Sequence, residues 1–216
     1  MPESAYTEAV PGNNAPPVPL SFFQEVSAMN RTNHSATLRL CLTGVMAALC
    51  FVSNYIRIPL LDSQVHIGNA LCVLCGFLFG PATGFLAAGI GNLLYDLMAG
   101  YGYECLITFV SKGAIALVSG AIACGAVEMT GRDHRRCLLG AILGAATYVA
   151  LYMLKTFIFG LTVNGLTLDA TLLKMAAKLP ASAINAVFAA VVTPVFWQAL
   201  CPALRASGWV EKPHAA

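Results

Sequence analysis

The chain has 216 residues, of which 58% are hydrophobic and only 10% are charged. A soluble domain is typically about 25% charged, so this composition argues against an ordinary soluble protein and indicates a polytopic membrane protein. The formal net charge of +2 is small and the sequence has no uninterrupted Lys/Arg run or interleaved basic-aromatic stretch, which argues against nucleic-acid binding.

The first segment, residues 1–36, is rich in proline, alanine and polar residues. It has no basic stretch followed by an apolar core, so it is not a signal peptide. We predict a disordered tail in which residues 21–29 form a short interfacial helix. The predicted organisation is a cytoplasmic N-terminal tail (1–36), a membrane domain (37–204) and a cytoplasmic C-terminal tail (205–216).

Six apolar segments follow, and a spanning helix needs about 20 predominantly apolar residues. The fold class predicted is therefore an all-α membrane protein, a bundle of six transmembrane helices. Gly80-Pro81 predicts a tight turn between the second and third helices, and residues 161–177 predict a longer connection that includes a short helix. The six segments are 37–56, 67–80, 83–99, 104–127, 137–160 and 178–200.

The distribution of Lys and Arg sets the orientation, because cytoplasmic loops carry an excess of both. With both termini cytoplasmic, the inner side carries more basic residues than the outer connections do. The inner set is Arg31, Arg39, Arg132, Arg135, Arg136, Arg205 and Lys212, and the outer connections hold Arg57, Lys174 and Lys178. We therefore predict that both termini are cytoplasmic.

Charged residues interrupt one of the most apolar parts of the chain, at Asp96, Glu104 and Lys112. A helix rises about 1.5 Å per residue, which puts Asp96 and Lys112 at one depth, about 10–12 Å below the outer surface of a hydrocarbon core about 30 Å thick. An ion pair between them would lower the cost of burying either charge. Such a pair could contact a ligand, or it could be a structural clamp without one.

Further polar and aromatic residues lie in the same outer half, whereas the inner halves of the helices contain no acid or base apart from Arg39 at the inner end of the first helix. Intramembrane ionisable residues are functional candidates, so this one-sided distribution predicts a ligand pocket that opens outward. Tyr101 and Tyr103 also fit an interfacial aromatic belt, and Glu104 also fits a helix edge. The candidate ligand-binding residues are Asn69, Asn92, Tyr95, Asp96, Tyr101, Tyr103, Glu104, Thr108, Lys112, Lys155 and Asn185.

Motifs for catalysis and metal binding are missing from the sequence. It has no G-x-x-x-x-G-K-[ST], no H-E-x-x-H and no G-x-S-x-G. Cys72-x-x-Cys75 has no second pair and no histidine at ligand spacing, so we interpret it as packing. We predict no cofactor, no metal and no enzymatic activity, and any ATP-driven step requires another protein.

Residues 65–123 resemble the substrate-binding S components of energy-coupling factor (ECF) transporters, in the riboflavin-type group. The supporting motifs are H-x-G-N at the start of the second helix, F-G-P-x-x-G at the turn, G-x-G-N-x-x-Y-D at the end of the third helix and T-F-x-x-K-G at the start of the fourth. The first helix, residues 42–60, also fits. The last two helices match only in hydropathy and length.

The resemblance implies a multi-pass protein of a prokaryotic plasma membrane that captures a vitamin or its precursor from outside. It implies three partners, a transmembrane T component and two cytosolic ATPases. Family members dock through A-x-x-x-A on helix one, for which this chain offers Gly44-x-x-x-Ala48, with Ala47 alongside. The aromatic, acidic, basic and amide groups of the outer half suit a planar heterocycle with polar substituents.

A self-sufficient secondary carrier is the alternative function. It would use Asp96 as its proton or cation site and would need no partner. An S component should bind a T component and ATPases, whereas a carrier should transport alone.

Overall fold

A computed structural model of the protein describes residues 20–60, 63–123 and 131–206. Parts of the predicted tails (1–19 and 207–216) and residues 124–127 of the predicted fourth helix lie outside the described residues. The chain divides into two units, Met1–Leu42 and Thr43–Ala216. The elements are α1 (Leu20–Ser53), β1 (Arg57–Leu60), β2 (Ser63–His66), α2 (Gly68–Met98), α3 (Glu104–Ala123), α4 (Gly131–Thr162) and α5 (Leu168–Ala206).

The predicted helical membrane fold is confirmed. Four helices of the described part are long and apolar enough to cross a membrane, and Thr37–Ser53 is a shorter apolar helix. The four spans are Gly68–Met98, Glu104–Ala123, Arg132–Thr162 and Leu168–Leu204. The cytoplasmic placement of both termini stays a prediction.

Helix α2 contains both the second and the third predicted helices, joined at Gly80. Gly80 has φ 78° and ψ −178°, a conformation that only glycine adopts cheaply, and Pro81 follows it. A Cβ built on Gly84 would lie 2.9 Å from the Cα of Gly76, although eight residues of straight helix would separate them by about 12 Å. The chain therefore reverses at Gly80, and the two halves of α2 pack against each other.

The first half of α2 is short. Its residues 68–79 rise only about 18 Å, less than the roughly 30 Å of a hydrocarbon core. The count of six transmembrane helices stays a prediction, because it depends on this half crossing the membrane by itself.

The connection between the last two helices is shorter than predicted. Helix α4 ends at Thr162 and α5 begins at Leu168, so most of residues 161–177 is helical. Gly165 takes a left-handed φ of 60°, and the hydroxyl of Thr167 accepts a hydrogen bond from the N–H of Ala170 at 3.3 Å, which caps the start of α5.

Strands β1 and β2 form an antiparallel hairpin in which Arg57 pairs with His66. This hairpin is not among the elements that the sequence predicts. Asn185 on α5 ties the hairpin down, since its Oδ1 accepts a hydrogen bond from the N–H of His66 (2.9 Å) and its Nδ2 donates to the carbonyl of Gln64 (2.7 Å). The hairpin is thereby fixed beside α5.

Close packing of α2 on α3 depends on Gly76. A Cβ on Gly76 would lie 2.3 Å from the carbonyl oxygen of Ala116. We expect Gly76→Ala to destabilise the purified protein by about 1–3 kcal/mol through overpacking. A thermal-unfolding midpoint in detergent measures the effect.

Gly44→Ala is the matched control, because a Cβ at Gly44 meets nothing within 4 Å. It should leave the midpoint unchanged or raise it slightly, because the higher helix propensity of alanine adds up to about 1 kcal/mol to the free energy of unfolding. Equal midpoints for the two variants would contradict the packing described here.

Candidate functional site

A cavity of about 400 Å³ lies between the hairpin, the second half of α2, α3, α4 and the first turns of α5. Its lining contains many ionisable and aromatic side chains. The charged ones are Arg57, Asp96, Glu104, Lys112, Lys155, Lys174 and Lys178, and the aromatic ones, besides His66, are Tyr95, Tyr101, Tyr148, Tyr152 and Phe159.

Seven of the eleven predicted ligand-binding residues line this cavity. They are Tyr95, Asp96, Tyr101, Glu104, Thr108, Lys112 and Lys155. The structure therefore brings together residues from α2, α3 and α4 that are separated by up to about sixty positions in the sequence.

The predicted ion pair between Asp96 and Lys112 is wrong, because Lys112 has a different partner in the structure. The ammonium of Lys112 donates instead to Oδ1 of Asn69 at 2.5 Å, and it lies 4.7 Å from the ring centroid of Tyr148. Equal depth is not sufficient for contact, because the rotation of each helix decides which neighbour a side chain faces. Lys112 is buried, with 7% of its surface exposed.

The salt bridge of the cavity joins Lys155 to Glu104. Nζ of Lys155 lies 2.5 Å from Oε2 of Glu104, with the two side chains 22% and 37% exposed. Such a partly exposed pair contributes little to stability. Its main consequence is local, since the charge of Lys155 is balanced within the cavity wall.

Four predicted residues lie outside the lining. Asn69 holds Lys112, and Asn185 holds the hairpin. Asn92 accepts a hydrogen bond from Nδ2 of Asn54 (3.0 Å) and donates to the carbonyl of Ala88 (2.8 Å). Tyr103 is 62% exposed and stacks on Phe159 at 5.9 Å. These side chains are placed to support the cavity wall.

Two stacked tyrosines on α4 line the cavity and are not among the residues predicted from the sequence. Tyr148 and Tyr152 have ring centroids 5.6 Å apart and an interplanar angle of 15°. Lys112 lies over Tyr148, and Nζ of Lys178 lies 5.4 Å from the centroid of Tyr152. The available signal was the spacing of four residues, which places both rings on one face of a helix.

The hairpin adds polar groups that were not among the predicted site residues. The guanidinium of Arg57 donates to Oε1 of Gln64 at 3.1 Å and lies 5.9 Å from the ring of Tyr95. His66 accepts a hydrogen bond from the N–H of Gly68 through Nδ1 at 3.1 Å. Burial, and then the positive charges of Lys112 and Arg57, lower the pKa of His66 to about 3, so this imidazole is neutral at pH 7.

Most of the chain matches a known protein family. Residues 34–201 match the family described as ECF-type riboflavin transporter, S component. The chain belongs to this family. The predicted resemblance is confirmed, and the protein is a multi-pass membrane protein of the kind that serves as a substrate-binding transporter subunit.

The chain is also similar to one protein in sequence and to two solved structures in fold. An uncharacterised protein from Pyrococcus woesei, encoded in the gap 3′ region, is 31% identical over 113 residues, which is 51% of this chain and 72% of the relative. A solved S component of a bacterial ECF transporter has 20% identity and a TM-score of 0.63, with 79% of this chain and 99% of the other covered. ThiT from Listeria monocytogenes has 14% identity and a TM-score of 0.55, with 79% and 97% covered. The two structures support the S-component fold.

The predicted docking residues lie on α1. Gly44 and Ala48 are exposed, whereas the backbone of Ala47 lies against α2, since a Cβ built on Gly91 would clash with the Ala47 carbonyl oxygen. Gly44 and Ala48 therefore share a face that the described part of the S component leaves open.

The lowered pKa of His66 makes a prediction about pH. An unfolded histidine binds a proton near its ordinary pKa of 6.5, whereas folded His66 does so only near 3. Because the unfolded chain binds this proton more readily than the folded protein does, the free energy of unfolding is highest above pH 6.5 and decreases as the pH falls from 6.5 towards 3. We expect the wild-type midpoint to fall more between pH 7 and pH 5 than that of His66→Asn, whose side chain can still accept the Gly68 hydrogen bond. Parallel pH profiles for the two proteins would contradict this.

Proposed function

We propose that the protein captures a vitamin or a related small planar heterocycle in this cavity, which opens to the cell exterior. Uptake is then driven by ATP hydrolysis in a complex with a T component and two cytosolic ATPases. The observation that best supports this proposal is that a member of the S-component family has a cavity of about 400 Å³. The cavity is lined by a stacked pair of tyrosines and by polar groups.

Aromatic side chains favour a planar ligand. Tyr148 and Tyr152 form one group of rings in the wall. Tyr95 and Tyr101 also line the cavity, and the ring of Tyr95 packs against those of Tyr55 and Phe51, which lie outside the lining, at centroid distances of 5.1 Å and 6.2 Å. Ring faces bury a large apolar area and leave a polar edge for specificity, so a flat heterocycle matches this lining.

Polar groups on α2 and α3 suit the edge of such a ring. Asp96 and Thr108 line the cavity together, and Asp96 forms no salt bridge with any residue that the structure describes. Its carboxylate is therefore placed to accept hydrogen bonds from ring N–H groups or hydroxyls, while the Thr108 hydroxyl both donates and accepts.

ATP-driven transport requires partner subunits, because the sequence carries no P-loop. The open face of α1 at Gly44 and Ala48 suits close helix packing, since small residues let backbones approach. We propose this face for the T component, in a prokaryotic plasma membrane with both termini in the cytoplasm.

Ligand stacking is tested at Tyr152. Riboflavin is the first ligand to measure, because the family is described as riboflavin transporters. If it does not bind, the compound identified by mass spectrometry of the purified protein takes its place. Tyr152→Leu should weaken binding about tenfold through loss of ring stacking, whereas Tyr152→Phe keeps the ring and should bind as the wild type does. Equal affinities for both variants would exclude this ring from the ligand site.

Partner dependence is tested with the docking face. Gly44→Leu with Ala48→Leu should abolish co-purification with the T component, because the larger side chains prevent close helix approach. Ligand binding by the isolated protein should be unchanged. Uptake into liposomes by the purified protein alone would instead identify the alternative, a secondary carrier that uses Asp96.

A further inference from the structure

Positive charge exceeds negative charge in the cavity wall. Five basic side chains line it, against the two acids Asp96 and Glu104. Glu104 already balances Lys155. His66 adds no further positive charge, since its pKa of about 3 leaves it neutral at pH 7, and the positive charges of Lys112 and Arg57 contribute to that lowering.

Lys174 and Lys178 account for much of this excess. They lie one turn apart on α5, both line the cavity, and both are partly buried. Neither forms a salt bridge with an acid in the described part of the chain. Like charges four residues apart on a helix repel each other, so this arrangement costs stability when the cavity holds no counter-charge.

A topological role does not explain these two lysines. Basic residues that orient a membrane protein lie on the cytoplasmic side, whereas the predicted orientation places Lys174 and Lys178 at the outer end. The nearby acid, Asp169, is exposed and does not line the cavity. Lys174 and Lys178 therefore line the cavity without a salt bridge to any acid in the described part of the chain.

We infer that the ligand carries an anionic oxygen group, a phosphate or a carboxylate, which binds between Lys174 and Lys178 while its ring lies against Tyr152. This inference rests on the proposed function and adds the charge class of the ligand. Two ammonium groups supply charge-assisted hydrogen bonds to such a group. The position of Lys178 over Tyr152, 5.4 Å from its centroid, places the cationic and aromatic parts of the site side by side.

The test compares ligands that differ in the acidic group. Equilibrium binding to the full-length protein in detergent is measured for riboflavin against riboflavin 5′-phosphate, and for nicotinamide against nicotinate. In a pair that binds, the anionic member should bind tighter by on the order of tenfold, and added salt should reduce the difference. The first pair reports on a phosphate and the second on a carboxylate.

Variants assign the preference to the two lysines. Lys174→Gln with Lys178→Gln should abolish it, whereas Lys174→Arg with Lys178→Arg should retain it. Asp169→Asn, which removes a single charge on the same helix outside the lining, should leave it unaltered. An equal or higher affinity for the neutral member, or a preference that survives in the Gln variant, would overturn the inference and leave the ligand-binding function standing.

If neither ligand pair binds, inorganic pyrophosphate is used as the probe of the anion site. It should raise the thermal midpoint of the wild-type protein but not that of the Gln double variant. No shift in the wild type would overturn the inference. A shift without binding of any heterocycle would uphold the anion site and contradict the heterocycle in the proposed function.

Discussion

The burial of Lys112 is the constraint on which the rest of the site depends. An ammonium inside an apolar bundle is costly unless other groups satisfy it, and here Oδ1 of Asn69 and the ring of Tyr148 do so. Asn69 can reach Lys112 because α2 reverses at Gly80 and its first half packs against α3. A backbone conformation that only glycine adopts cheaply thus positions the innermost charge of the cavity.

Most of the helical architecture could be predicted because apolar runs and breakers are local signals. Gly80-Pro81 marked the reversal in α2 correctly, since both residues act through their own backbone. The hairpin at 57–66 could not be predicted, because its strands have only four residues each and are held by Asn185, which lies far away in the sequence. For residues 161–177 the sequence predicts a connection that includes a short helix, whereas in the structure the first turns of α5 begin at Leu168, with Thr167 as the cap.

Helical rise predicts how deep a side chain lies along a helix but not the direction in which it points. It predicts one level for Asp96, Thr108 and Lys112, and all three line the cavity, while their depth in the membrane stays a prediction. It could not show that Lys112 faces Asn69, because that depends on how α3 is rotated against both halves of α2. Tyr148 and Tyr152 were missed for a related reason: within an apolar segment they resemble lipid-facing or core residues until a lysine from another helix lies over each ring.

A structure of the full-length protein with the ligand that co-purifies with it tests the central claim most directly. The account predicts one small molecule in the cavity, with its ring against Tyr152 and its polar edge within hydrogen-bond distance of Asp96 or Thr108. A ligand bound elsewhere on the protein, with this cavity occupied only by water, would contradict it.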